Sequence, residues 1–252
     1  MKHSLSFYIR KTHRYLGIFI GIQFLFWTLG GLYFSWTNIN AIHGDELVKH
    51  SVGALPFGEN LIAPNAALSA IQSKFGNSRA VKFQMTEVLQ KPYYEIAALD
   101  ESGKTQTFLV DAANGAVREN FSEAEAVQIV RPALQKESEL ASVELLTGEA
   151  VGRHHEYREK PLPAWAVNFR APTDFTVYVS AAAGKIEATR TGDWRIFDFL
   201  WMLHTMDYNG RDNINNYVLR AFSILGLLTI ASDFALFGVS SPYLRKKRRL
   251  KK

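Results

Sequence analysis

The chain carries seven histidines and no cysteine, and three of those histidines border runs of apolar residues. His13 stands in "KTHRYLG", at the head of the first run. His43 stands in "NINAIHGDEL", just beyond that run's other end. His204 stands in "FDFLWMLHTMDY", ahead of a second run. Histidine in an apolar slot between facing helices is the usual axial ligand of a b-type haem, which needs two ligands. Arg10, Lys11 and Arg14 flank His13 and have the charge to meet haem propionates. His154 and His155 stand together in "VGRHHEYREKP", with Glu156 and Glu159 nearby. Neighbours on a strand face opposite ways, so these two are poor co-ligands. The plain reading is an exposed hairpin loop, and the alternative is a surface Fe or Zn contact. His3 and His50 have no such context. The absence of cysteine excludes disulfides, thiolate clusters, covalently attached c-type haem and a thiol nucleophile. There is no Walker loop, no G-x-G-x-x-G after a strand, no H-E-x-x-H and no serine triad.

The elements that must hold these histidines begin with the apolar runs. Residues 16–36 (LGIFIGIQFLFWTLGGLYFSW) contain no charge and one Gln. A helix of about 20 apolar residues crosses a hydrocarbon core of roughly 30 Å. The run is too long for a signal peptide and lacks a small-x-small cleavage site after it. Residues 221–240 (AFSILGLLTIASDFALFGVS) also have spanning length, although Asp233 interrupts them. An ionisable group within a span costs a few kcal/mol on insertion scales and is a functional hypothesis by default. The readings for Asp233 are hydrogen bonds across a dimer, a position near the inner interface, or a proton or quinol contact. Lys2, Arg10, Lys11 and Arg14 precede the first run, and "YLRKKRRLKK" follows the second. The positive-inside rule places both ends in the cytoplasm and the acid-richer middle on the far side. The net charge of +5 thus belongs to membrane flanks facing anionic lipid, not to a nucleic-acid site.

The stretch between the spans is long enough for a folded domain and contains an internal repeat. "FLVDAANGAV" (108–117) matches "VYVSAAAGKI" (177–186): strand, small residues, glycine turn, strand restart. An aromatic-rich strand precedes each, "YYEIAAL" and "AWAVNFR". A helix precedes those. Residues 64–75 open on Pro64 and line up Ala67, Leu68, Ile71 and Phe75. Residues 122–134 open on Ser122 with Glu125 three positions on, a capping box, and Pro132 stands near their end. The unit is a helix followed by three antiparallel strands, twice, each sheet with a helix on one face.

A helix plus a small meander ending in "VDAANGAV" resembles a PepSY domain. Two such units between two spans, with "RKTHRYLGIFIG" opening the first span and "LHT" leading to the second, are similar to the PepSY-associated transmembrane family of bacterial inner-membrane proteins. The resemblance implies a periplasmic PepSY module on a small membrane anchor. Members with more spans include haem-containing ferric-siderophore reductases, whereas soluble PepSY modules are inhibitory or chaperone-like segments of secreted proteases. This chain has two spans where the larger reductases have four. The expected fold class is therefore an α+β membrane protein, two transmembrane helices flanking a tandem PepSY-like domain. Its expected parts are a cytoplasmic N-terminus (1–14), a first span (15–37) and a periplasmic domain (38–193) with repeats at about 62–119 and 122–190. An interfacial aromatic segment (194–213), a second span (214–240) and a basic tail (241–252) follow.

Geometry then limits the ligand pairs. His13 and His43 lie on opposite sides of a span of roughly 30 Å and cannot share one iron. His13 and His204 face the same objection if His204 is on the outer side. His43 can meet His204, and His204 or His13 can meet its own mate across a two-fold axis. Two spans need a partner to enclose a porphyrin, so a homodimer is expected. Gly17 and Gly21 form a small-x3-small pair that permits close approach. The expected function is a b-type haem protein of the bacterial inner membrane that passes electrons to periplasmic ferric iron or a ferric chelate. Its cofactor-binding residues are His204, His13, His43, Arg10 and Arg14. No NAD or flavin motif is present, so an unidentified molecule is the electron donor; membrane lipid is a partner and nucleic acid is not. The alternative is a membrane-anchored PepSY module that binds or inhibits a protein without redox activity.

Overall fold

The computed structural model describes residues 5–49, 61–76, 79–170 and 173–241. His3, His50 and the basic tail from residue 242 lie outside the described residues. The chain divides into two compact units, residues 1–37 with 196–252, and residues 38–195.

In the first unit, α1 (Leu5–Trp36) and α6 (Tyr217–Ser240) are long and apolar enough to cross a membrane. Their large apolar side chains, among them Ile18, Phe24, Leu227 and Phe234, face outward rather than into a core. That pattern is compatible with a membrane anchor. The third helix, α5 (Gly192–Thr205), is rooted by its first turn in the other unit. From Ile196 on it runs antiparallel to the C-terminal half of α1. Phe34 packs on Phe197 at 4.8 Å, and seven residues back along α1 Trp27 packs on His204 at 5.5 Å. The N-terminal half of α1 meets α6 instead, where Phe19 stacks on Phe222 at 5.4 Å.

The turn between α5 and α6 is held by its own polar groups. Asp207 accepts from the backbone N–H groups of Asn209, Gly210 and Asn213. Burial pushes its carboxyl up, but those donors together with the Asp212 N–H outweigh it and hold the group below the ordinary value. Arg211 pairs with the buried Asp198 of α5. Asn216 caps α6 by accepting from Leu219 N and donates to the carbonyls of Thr205 and Asn213.

The second unit begins with a short helix, α2 (Ile39–His43), ending at Gly44. Helix α3 (Pro64–Phe75) precedes β1 (Arg79–Val88), β2 (Lys91–Leu99) and β3 (Thr105–Asp111), a three-stranded antiparallel meander. Ala67 and Ile71 of α3 bury against Tyr94, Ile96 and Val110. Helix α4 (Glu123–Val130) follows, with the capping box of Ser122 and Glu125 formed in full. A single 3-10 turn at Arg131–Ala133 ends it where Pro132 removes an amide donor. The second sheet has four strands in sequence order, β4 (Glu139–Leu146), β5 (Ala164–Arg170), β6 (Phe175–Ser180) and β7 (Ile186–Thr191). One more strand is present than the repeat predicts. The restart after Gly184 grows into β7, whereas the restart after Gly115 forms only the bridge Val110–Val117.

The two repeats share their hydrogen bonds as well as their pattern. Ala112 N donates to Pro92 O and Ala181 N to Pro163 O; Gly115 N donates to Asp111 O and Gly184 N to Ser180 O. Ile62 N donates to Ala112 O, and Phe121 N to Ala181 O. Each glycine has positive φ, +78° at Gly115 and +62° at Gly184, where a side chain is strained. The repeats join through Phe121, whose ring packs with Val88, Tyr93 and Leu109 of the first sheet, while its carbonyl accepts from Trp165 Nε1 at 2.7 Å.

Candidate functional site

At the C-terminal half of α1, His204 lies among aromatic rings. Trp27, Phe34 and Trp201 stand 5.5, 5.8 and 6.2 Å from it, centroid to centroid. Its Nδ1 is buried with no hydrogen-bond partner among the described residues, and so is the neighbouring Trp27 Nε1. Buried polar atoms without partners are uncommon and call for a reason. One turn below, Gln23 Nε2 donates to Leu203 O at 2.8 Å and fastens α5 to α1 just before His204. That gives the single Gln of the first apolar run a structural role.

At the N-terminal half of α1, His13 is engaged at both ring nitrogens. Nδ1 lies 3.0 Å from Ser232 Oγ and Nε2 lies 3.3 Å from Asp233 Oδ1. Asp233 therefore has an ionisable neighbour, which arrives from α1 rather than from its own helix. Arg10 and Arg14 are exposed within a turn of His13. Trp27 follows His13 by fourteen positions, about 21 Å of axial rise, so His13 and His204 belong to separate places on α1. His43 is in the other unit, exposed, at the end of α2.

The "HHEYREKP" segment is not the bland loop its polarity suggests. Tyr157 is fully buried, stacked on Tyr178 at 4.6 Å, with its hydroxyl donating to Pro161 O at 2.8 Å. It fills the face of the second sheet opposite α4, where Ala164, Ala166 and Ala188 leave room for a ring. Burial drives the Tyr157 and Tyr178 phenols upward, so both stay protonated. Glu156 is committed to Arg195 at 2.6 and 3.0 Å and accepts from Tyr178 Oη at 2.6 Å. Burial raises Glu156, but Arg195 and Tyr178 outweigh it and hold its carboxyl below the ordinary range. His155 Nδ1 accepts from Tyr157 N at 3.0 Å. No group of three or more His, Asp or Glu side chains suited to a metal ion occurs among the described residues.

The haem expectation meets this geometry unevenly. His204, with an unpartnered buried nitrogen inside an aromatic cage, fits one axial ligand. His13 does not fit in this arrangement, because neither nitrogen is free. His43 has no apolar slot, and Arg10 and Arg14 stand at the wrong end of α1 to serve a haem at His204.

Residues 61–120 match the family described as Peptidase propeptide and YPEB domain, PepSY. The match spans the first repeat, from Leu61 just before α3 past the Gly115 turn. Among solved structures, the YpeB C-terminal domain of Bacillus megaterium aligns over 55% of this chain and 66% of its own, at 11% identity and a TM-score of 0.21. No curated protein matches the chain. The chain thus contains a PepSY domain, in a mixed fold of helices and antiparallel sheets with an apolar helix near each end.

Proposed function

We propose that this is an inner-membrane protein in which tandem PepSY units face the periplasm and the helical unit holds a b-type haem through His204. The reading extends to electron transfer toward periplasmic ferric iron or a ferric chelate, with the donor a separate molecule. The observation that carries it is the unpartnered, buried Nδ1 of His204 among Trp27, Phe34 and Trp201. A bound haem would supply a one-electron carrier. The chain's own part is to fix the ligand. Gln23 pins the last turn of α5, Trp201 and Trp27 restrict the imidazole, and the hydrogen bonds that Asp207 accepts hold the turn between α5 and α6. Among the described residues one chain offers one such histidine, so the second ligand comes from the His204 of a second copy, across a two-fold axis. Gly17 and Gly21 have open space where a Cβ would be and allow that approach.

Hemin titration of detergent-purified protein tests this. The expected result is saturation at one haem per two chains, abolished by His204→Ala and retained in His43→Ala. Uptake unaffected by His204→Ala would refute the assignment. A protein that takes up no hemin would leave a membrane-anchored PepSY module.

A further inference from the structure

The first sheet ends on β1, and one side of that strand's backbone has nothing to bond. The hairpin from β1 to β2 turns on Leu89 and Gln90, both with positive φ, so Val88 and Lys91 on either side form a hydrogen-bonded pair. Pairs alternate from there. Thr86 and Gln84 aim their amides and carbonyls at β2, while Glu87, Met85 and Phe83 aim theirs away from the sheet. Pro92, opposite Glu87, fits this phase, because it has no amide proton to give β1 and its carbonyl accepts from Ala112 N on the other side. Among the described residues no backbone bond reaches the outward groups of Phe83, Met85 and Glu87. The opposite edge of the sheet is occupied, since Val117 bridges Val110 and Arg118 N donates to Leu109 O. The open edge is apolar as well. Val81 is 56% and Phe83 38% exposed, and Phe83 lies 5.1 Å from the Tyr94 ring. Proteins guard such an edge with a lysine or a bulge, because it is a template for another strand. Here Lys82 is drawn back to Glu95 at 3.7 Å, and the bulge between Ala80 and Lys82 leaves residues 82–88 in regular register.

We propose that this edge pairs with the β1 strand of a second copy of the chain, antiparallel about a two-fold axis at Gln84, so that two three-stranded sheets become one continuous sheet. The interface uses neither His204 nor its surroundings and stands apart from the haem reading. Charge selects the occupant and its direction. Arg79 and Lys82 precede Gln84, and Glu87 follows it. Antiparallel pairing therefore sets the basic half of one strand beside the acidic half of the other, whereas parallel pairing sets like charge on like. The end strand of the second sheet, β4, carries Glu139 and Glu144 and no base, so it repels its own copy. About an axis at Gln84, Phe83 lies opposite Met85 of the second copy, and the same contact recurs on the other side of the axis. The outward amides and carbonyls of these two residues exchange hydrogen bonds, and the exposed Phe83 ring gains an apolar neighbour. An isologous pair of this kind closes at two chains and leaves no free β1 edge to propagate.

The test uses the full chain in detergent. Gln84 spends its own amide and carbonyl on β2, so it meets its copy in a non-hydrogen-bonded pair, with about 4.5 Å between Cα atoms and within disulfide reach. In this cysteine-free chain, Gln84→Cys is expected to cross-link into a dimer under mild oxidation, while Gln106→Cys, exposed on the far strand β3, is not. Adding Met85→Pro to Gln84→Cys removes an amide that points away from β2, so the β1–β2 ladder stays and the cross-link is lost. Amide exchange of the native protein reads the same contact without a substitution. The Phe83 and Met85 amides, unbonded within one chain, exchange slowly in the dimer and speed up as dilution separates the chains. The proposal is overturned if Gln84→Cys stays monomeric, if its cross-link survives Met85→Pro, or if the Phe83 and Met85 amides of the native protein exchange as fast as fully exposed ones.

Discussion

Glycine at the turn of each repeat offers a matched perturbation. Gly115 and Gly184 hold the same position, make the same backbone bond, and both have positive φ. Their surroundings differ. A Cβ on Gly115 would meet only Ile62 Cδ1, at 3.3 Å, the end of a flexible side chain. A Cβ on Gly184 would lie 2.5 and 2.6 Å from the Phe121 ring and 2.7 Å from Val88 Cγ1. Alanine at either site costs about 1–2 kcal/mol for the left-handed backbone. At Gly184 it adds about 1–3 kcal/mol of overpacking, because Phe121 is buried between the repeats and cannot step aside. Gly115→Ala is thus expected to lose about 1–2 kcal/mol and Gly184→Ala about 2–5 kcal/mol. For a chain of this length each kcal/mol lowers Tm by about 2–4 °C. Thermal unfolding of the two variants by near-ultraviolet circular dichroism measures the gap directly. Equal losses, or a smaller loss at Gly184, would show that Phe121 does not press on the turn and that the repeats are not joined there.

Further outcomes follow from the same contacts. Tyr157→Ala removes a fully buried ring and its stack on Tyr178, at an expected cost of about 3–5 kcal/mol, whereas Tyr157→Phe loses only the bond to Pro161 and about 1 kcal/mol; denaturant midpoints separate the two. Ser122→Ala opens the capping box of α4 and costs about 0.5–2 kcal/mol by the same assay. Glu156 is held below its ordinary value of 4.5. Its contribution is therefore complete above that value and is lost as pH falls through the lowered one. Glu156→Gln should flatten this part of the acid unfolding profile, and an unchanged profile would show that Arg195 and Tyr178 do not favour the ionised form.

Periodicity and caps made much of the architecture legible. The α3 helix falls on the residues that Pro64 and the apolar spacing mark, and Ser122 with Glu125 marks the start of α4. The glycine turns reveal the repeat because positive φ leaves few residue choices. What was hidden depends on faces and on distance. The Tyr157 segment reads as exposed because its neighbours are charged; the clue lay elsewhere, in the small Ala164 and Ala166 alternating on β5. The strand β4 escaped because its outward residues are mostly polar and exposed. The neighbour of Asp233 was hidden because helical spacing relates residues of one helix, and His13 lies 219 positions from the adjoining Ser232. For the histidines, composition could place them near the apolar runs, but not show that one has both nitrogens occupied and another has a buried nitrogen with no partner.

The central claim is that His204 ligates a haem. The reduced-minus-oxidised visible spectrum of protein purified from haem-replete cells, native and His204→Ala, tests it most directly. The account predicts a Soret band with sharp reduced α and β bands, lost in His204→Ala and kept in His13→Gln. A native protein without those bands, or a His204→Ala variant that retains them unchanged, would contradict it.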